Sequence, residues 1–223
     1  MVDTQELCGA KSRRGYNQTT ASGRAFWSLD PRPEDVRIED IAAQLARICR
    51  FGGALKPGVS FYSVAQHSVL VSYNVPEEYA LEGLLHDAAE AYVGDVIKPI
   101  KSALVPGYDT LFQVLIGAGF GERYSTDILD TLFPHLPDYK RIEKRVMAAI
   151  RMRFGLPQEE SEFIKVADYR AVLTEHRDLQ LDTGEVDWGL AKLPPYEEPI
   201  NPLPPIMAHA LFIDRFYELY KGE

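Results

Sequence analysis

Leu84-Leu85-His86-Asp87-Ala88-Ala89-Glu90 sets an adjacent His and Asp, and a Glu four residues after the His, inside an otherwise apolar, alanine-rich stretch. Imidazoles and carboxylates in apolar surroundings are costly unless paired or metal-bound. A chain with this segment must therefore fold so that other elements bring compensating groups to it. Two segments offer them. His67 lies in Ser63-Val-Ala-Gln-His-Ser-Val-Leu-Val-Ser-Tyr73, and Asp168 lies in Ile164-Lys-Val-Ala-Asp-Tyr-Arg-Ala-Val-Leu173, each a ligand-type side chain among apolar residues. Helices packed side by side converge such groups.

The rest of the pattern is helical. Ile38, Ile41, Ala42, Leu45 and Ile48 recur at helical spacing, in a first helix stopped near Gly52 and Gly53. Ser63 predicts an N-cap for a second helix, with Gln66 as its capping-box partner. Pro76, Glu77 and Glu78 open a third, predicted to run unbroken to about Tyr92. Asp138 is expected to cap a helix ending near Phe154, before Gly155 and Pro157, and Glu159 to about Asp178 forms another. No strand-like alternation competes, so the fold class expected is all-α.

A single domain over residues 1–223 is expected. Residues 1–24 read as a polar arm. Residues 102–137 read as an insertion, its short apolar helical pieces interrupted by glycine and proline. Residues 180–223 read as a C-terminal extension. Within it six prolines from Pro194 to Pro205 predict an extended path across the surface before a last helix at about 206–220. The apolar helical pieces at about 107–133 and 206–220 suggest a homo-oligomer.

A formal net charge of -9 argues against broad nucleic-acid binding, which needs a basic face. A phosphate-bearing ligand must then be drawn in by a local positive centre, which a bound cation supplies. Cys8 and Cys49 are too few for a disulfide framework or a thiolate zinc site. The first residues lack the pattern of a signal peptide, and no apolar run is long enough to span a bilayer. The expectation is a cytoplasmic protein with no membrane partner.

Two neutral imidazoles and two carboxylates form a mixed nitrogen and oxygen site that suits one divalent transition metal (Co, Mn, Zn, Ni or Fe) and suits calcium poorly. With four protein ligands, an octahedral ion keeps positions for a water and a phosphate oxygen. Glu90, about one turn beyond His86, can face the same cavity and orient or deprotonate the attacking water. Lys98 and Lys101 can add positive charge near the mouth.

His67, the pair His86-Asp87 and Asp168 reproduce the ordered H…HD…D pattern of HD-domain metal-dependent phosphohydrolases. Arg50-Phe51, Tyr62-Ser-Val-Ala-Gln-His67, His86-Asp-Ala-Ala-Glu90, Gly94-Asp95 and Lys98-Pro-Ile-Lys101 resemble the branch of bacterial 5'-deoxynucleotidases and phage dATP triphosphohydrolases. The match covers roughly residues 38–101 and 138–178, and Phe51 stands where the deoxynucleotidase pattern has a tryptophan. The resemblance implies an HD-type helical bundle with His67, His86, Asp87 and Asp168 as metal ligands. It further implies a small nucleotide substrate, a deoxynucleoside monophosphate first and a triphosphate as the alternative, with a non-catalytic, metal-stabilised nucleotide-binding regulator as the second alternative. Glu90 would then act on the water, Asp95 at the sugar or leaving group, Arg50 on phosphate and Phe51 on the sugar.

Overall fold

The computed structural model describes residues 15–97, 100, 101, 108–121, 139–182, 184 and 193–222. A two-stranded antiparallel hairpin, β1 (Gln18–Thr19) and β2 (Ala25–Phe26), precedes the helices. The helices are α1 (Ile38–Leu45), α2 (Val64–Tyr73), α3 (Ala80–Leu85), α4 (Glu90–Val93), α5 (Tyr108–Gly117), α6 (Tyr139–Phe154), α7 (Glu162–Leu179) and α8 (Pro205–Leu219). The all-α class expected from the sequence holds, with the hairpin as its one small exception among the described residues.

Helix α2 is the centre of the bundle, touching α1, α3, α7 and α8. Ser63 caps it, its Oγ accepting from the Gln66 N–H at 3.1 Å. Val64, Ala65, His67, Ser68, Val69, Val71 and Ser72 are all buried, so only a narrow stripe of Gln66, Leu70 and Tyr73 is left toward solvent, as a helix enclosed on several sides requires. Its hydroxyls donate to backbone carbonyls, Ser68 to Val64 and Ser72 to Ala80. The second half of the predicted capping box does not form. The Gln66 side chain instead grips the proline-rich segment, donating to the Asn201 carbonyl and accepting from the Leu203 N–H, each at 2.8 Å.

Gly83 sets how closely α3 approaches α2. A Cβ there would lie 3.3 Å from Ser72 Cα and 3.3 Å from Val75 Cγ2, so the bare backbone permits a contact that a side chain would push apart. The third helix, predicted unbroken, is interrupted just beyond this point. Between α3 and α4 the N–H groups of Ala88, Glu90, Ala91 and Tyr92 reach carbonyls three residues back instead of four. The His86 ring Nδ1–H takes the Gly83 carbonyl at 2.8 Å, offering the backbone an alternative to the regular ladder.

The C-terminal helix is no peripheral extension. Ala208, Phe212 and Phe216 of α8 are buried in the main core with Ile41, Leu45, Leu84, Leu85 and Ile150. Phe154 of α6 meets Phe216 edge to face at 5.2 Å. Part of the apolar surface of α8 that suggested an oligomer is thus used within the chain, while Ile206, Met207 and Tyr217 of the same helix stay exposed. The proline-rich segment does run extended, but Tyr196 is buried against α2 and α7, its N–H donating to Thr174 Oγ1 at 2.8 Å.

Part of the predicted polar arm is also structured. Gln18 donates to the Tyr92 carbonyl at 2.8 Å, Ser22 donates to Asp40, and Phe26 stacks on Tyr92 with ring centroids 3.7 Å apart. Residues 1–14, most of the 102–137 insertion, Lys98 and the predicted cap Asp138 lie outside the described residues.

Candidate metal centre

His67 of α2 and His86, just after α3, point their Nε2 atoms at one another across 3.3 Å. Asp87 Oδ2 lies 3.5 Å from the first and 3.3 Å from the second. Asp168 Oδ1, from α7, lies 3.1 Å and 3.8 Å from the same two nitrogens. Two ligands each about 2.1 Å from one ion stand roughly 3.0–3.4 Å apart; three of these distances fall in that range, and those from Asp87 to His67 and from Asp168 to His86 are slightly longer. His67, His86 and Asp87 form a cluster able to hold a metal ion. Side-chain exposure rises from 0% at His67 and 4% at His86 to 25% at Asp87 and 40% at Asp168, so the cluster is open on its carboxylate side.

The tautomers follow from what holds the other ring nitrogens. His86 Nδ1 faces the Gly83 carbonyl, which can only accept, and His67 Nδ1 faces Glu175 Oε1 at 2.6 Å. Each Nδ1 therefore carries a hydrogen, which leaves each Nε2 as the atom that can present a lone pair to an ion. Two acceptors and two carboxylate oxygens gathered at one point repel unless a positive charge lies among them. The donor set fits a divalent transition ion.

Protonation follows the same logic. Burial disfavours charge on His86, yet Asp87 and Asp168 outweigh it and push its pKa up to about 10. Burial and the Arg50 charge likewise oppose a proton on His67, but Glu175 and Asp168 raise its pKa on balance. Burial works against the charged form of Asp87, whereas His86, His67 and Arg50 hold its carboxyl well below the usual range. A metal ion supplies the positive charge that these protons supply in its absence.

Glu175 was not singled out from the sequence. It lies seven residues, or two turns, after Asp168, so both face the same way from α7. Its side chain is fully buried, bonded through Oε1 to His67 and through Oε2 to Arg50 Nε at 3.2 Å and Nη2 at 3.0 Å. Burial disfavours its charge, but Arg50 and His67 keep it ionised below the usual carboxylate range. The i, i+7 spacing was the available signal.

Arg50, expected on phosphate, is itself buried and directs two nitrogens to Glu175, while Nη1 lies 3.5 Å from Asp87 Oδ2. Its N–H donates to the Tyr62 carbonyl at 2.9 Å, fixing it beside the start of α2. Phe51 follows with φ 57°, the one left-handed non-glycine among the described residues, and its ring centroid is 5.3 Å from the Arg50 guanidinium carbon. Such a conformation costs about 1–3 kcal/mol and concentrates at functional loops.

Glu90 is buried, and its Oε2 has no hydrogen-bond partner among the described residues. Burial, then the Asp87 and Asp95 carboxylates, push its pKa up to about 9, against Lys101 and Arg50. Lys101 lies 3.4 Å from Glu90 Oε1 and 2.9 Å from Glu143 Oε1. Asp95 is half-buried after Gly94, whose carbonyl accepts from the Tyr139 hydroxyl at 2.6 Å. Burial raises the Asp95 pKa and Asp87 adds to the rise, with Arg50 and Lys101 opposing. A cavity of about 260 Å³ opens beside the cluster, lined by His86, Asp87 and Glu90 on one side, by α6 on the other, and by Gln158 and Glu160 between α6 and α7.

No family model matches the chain. The uncharacterized protein YfdR of Escherichia coli is 39% identical over 202 residues, covering 90% of this chain and 93% of that protein. An uncharacterized protein of Rhodobacter capsulatus is 35% identical over 147 residues, covering 63% of this chain and 59% of its own length.

Proposed function

The chain belongs to the family of the Escherichia coli protein YfdR, and from that premise and the site's chemistry we propose that it is an HD-type, metal-dependent phosphohydrolase of small nucleotides. The favoured reaction is release of phosphate from deoxynucleoside 5'-monophosphates. The observation that carries this reading is the convergence of His67 Nε2, His86 Nε2, Asp87 Oδ2 and Asp168 Oδ1 beside a buried, unpartnered carboxyl oxygen of Glu90. When bound, a divalent ion supplies Lewis-acid activation of water and offsets charge building on the phosphoryl group.

The side chains divide the remaining work. Glu90, four residues from His86 and lining the same cavity, is the group that takes or returns the proton. Its raised pKa lets it hold a proton near neutrality and release it to a leaving oxygen. Asp95 serves the sugar or leaving group from the loop after α4. Arg50 braces Asp87 and Glu175 and has Nη1 directed toward the cluster, leaving one edge for a phosphate oxygen. Phe51 offers its ring to the sugar.

A screen of mono-, di- and triphosphate nucleotides against chelator-stripped protein reloaded with single metals tests the reading. Metal-restored release of phosphate from a deoxynucleoside monophosphate is the expected result. Turnover of dATP with none of any monophosphate would replace that reaction with triphosphate release, and hydrolysis of none by metal-loaded protein would overturn the reading.

A further inference from the structure

The cations nearest the cluster are already committed. Arg50 is held by Glu175 and Asp87, and Lys101 by Glu143 and Glu90. Arg151 Nη1 donates to Glu82 at 3.2 Å and to the carbonyls of Pro157 and Glu159. Yet an anion entering an acidic protein is held better where a positive side chain adds to the charge of the metal.

Helix α6 offers one. Lys140, Glu143, Lys144, Met147 and Arg151 recur at helical spacing and together form one wall of the cavity, opposite His86, Asp87 and Glu90. Glu143 is neutralised by Lys101, and Arg151 by Glu82. Lys144 is exposed and has no ion-pair partner among the described residues. Lys140 stands one turn earlier on the same face, about 6 Å along the axis; it has an interaction of its own, so it adds to the charge at the phosphate only in part.

We infer that Lys144, assisted by Lys140, is the anion-holding residue of this site and presents the substrate's phosphate to the metal cluster from the α6 side. The identity of the anion rests on the phosphohydrolase reading, but its binding can be measured without turnover. Lys144 thereby selects for phosphorylated over unphosphorylated ligands, a task that Arg50 and Lys101 share only with the charge their carboxylate partners leave them. A flexible ammonium suits this, since it can follow the phosphate as the substrate seats.

The test is a titration of inorganic phosphate into zinc-loaded full-length protein, followed by phosphorus NMR. Lys144→Ala is expected to weaken binding about tenfold, and the Lys140→Ala/Lys144→Ala pair to weaken it further. Arg145→Ala, an equal charge loss from an exposed residue of α6 that does not line the cavity, is expected to stay within about twofold. Unchanged Tm across the set keeps the comparison to binding. Lys144→Ala within twofold of the wild type, equal weakening by Arg145→Ala, or no phosphate binding to the zinc-loaded wild type would each overturn the inference. Absence of nucleotide hydrolysis alongside the expected phosphate result would instead count against the phosphohydrolase reading alone.

Discussion

His67 donates from Nδ1 to Glu175 Oε1 at 2.6 Å, with both side chains fully excluded from solvent. The bond fixes the imidazole so that Nε2 faces the cluster as an acceptor. The other Glu175 oxygen accepts twice from Arg50, whose Nη1 approaches Asp87, so one buried carboxylate steadies groups on three elements. Partners of this kind behind a ligating histidine tune metal affinity as well as orientation.

Glu175→Gln is therefore expected to weaken metal binding by about tenfold to a hundredfold, with a smaller loss of stability than Glu175→Ala because it keeps the shape and one acceptor oxygen. Glu175→Ala goes further, since it leaves Arg50 buried without its main counter-charge, and costs about 3 kcal/mol or more of stability. Metal-competition titration and urea unfolding separate the two effects. Wild-type metal affinity in Glu175→Gln would remove the positioning role.

Asp87 and Glu90 are three residues apart, but their surroundings assign them different work. Asp87 is kept ionised within the cluster, so Asp87→Ala is expected to lose metal and hydrolysis together. Glu90 lies beside the cluster with its pKa raised, so Glu90→Gln is expected to keep metal while kcat falls roughly a hundred- to ten-thousand-fold. Metal content by elemental analysis, read with single-turnover rates, distinguishes them. Full activity in both variants would contradict the proposed mechanism.

The ligand-type residues were legible because each is a polar group at a helical position among apolar neighbours, where a partner must exist. Glu175 was not, because Thr174-Glu175-His176-Arg177-Asp178 reads as an ordinary solvated helix end until α2 is packed over it. The break after Leu85 escaped for a related reason: apolar spacing continues through it, and what accompanies it is a side-chain bond from His86 to Gly83. The hairpin has strands of two residues each, too short for alternation to register. Helix α8 was visible as a helix, but its place in the core is a tertiary fact that no local pattern carries.

Metal removal gives a further expectation. The cluster gathers acceptors and carboxylates that a cation reconciles, so chelation should destabilise the protein. At an ion concentration a hundredfold above Kd, binding contributes about 2.7 kcal/mol, equivalent to a Tm change of roughly 5–10 °C for a chain of this size. Thermal melts with chelator, then with added zinc, cobalt or manganese, measure it. A Tm indifferent to every ion would argue that the cluster holds none.

Gly83 links packing to chemistry most directly. It sits where α3 crosses α2, and a methyl group there would meet Ser72 Cα and Val75 Cγ2 at 3.3 Å. Both contacts belong to the ordered frame of the bundle, since Ser72 is buried and its hydroxyl donates to the Ala80 carbonyl at 2.8 Å. Relief requires the helices to part by a few tenths of an ångström, and His86, three residues on, moves with α3 while His67 stays with α2. Gly83→Ala favours helix by intrinsic propensity, by up to about 1 kcal/mol, yet overpacking costs about 1–3 kcal/mol, so the expected sum is a net loss of stability. Metal affinity should fall with it, because the 3.3 Å separation of the two Nε2 atoms would widen. Unfolding and metal titrations on the same variant measure the two losses, and a stabilised Gly83→Ala protein with unchanged affinity would show that the helices do not depend on this contact.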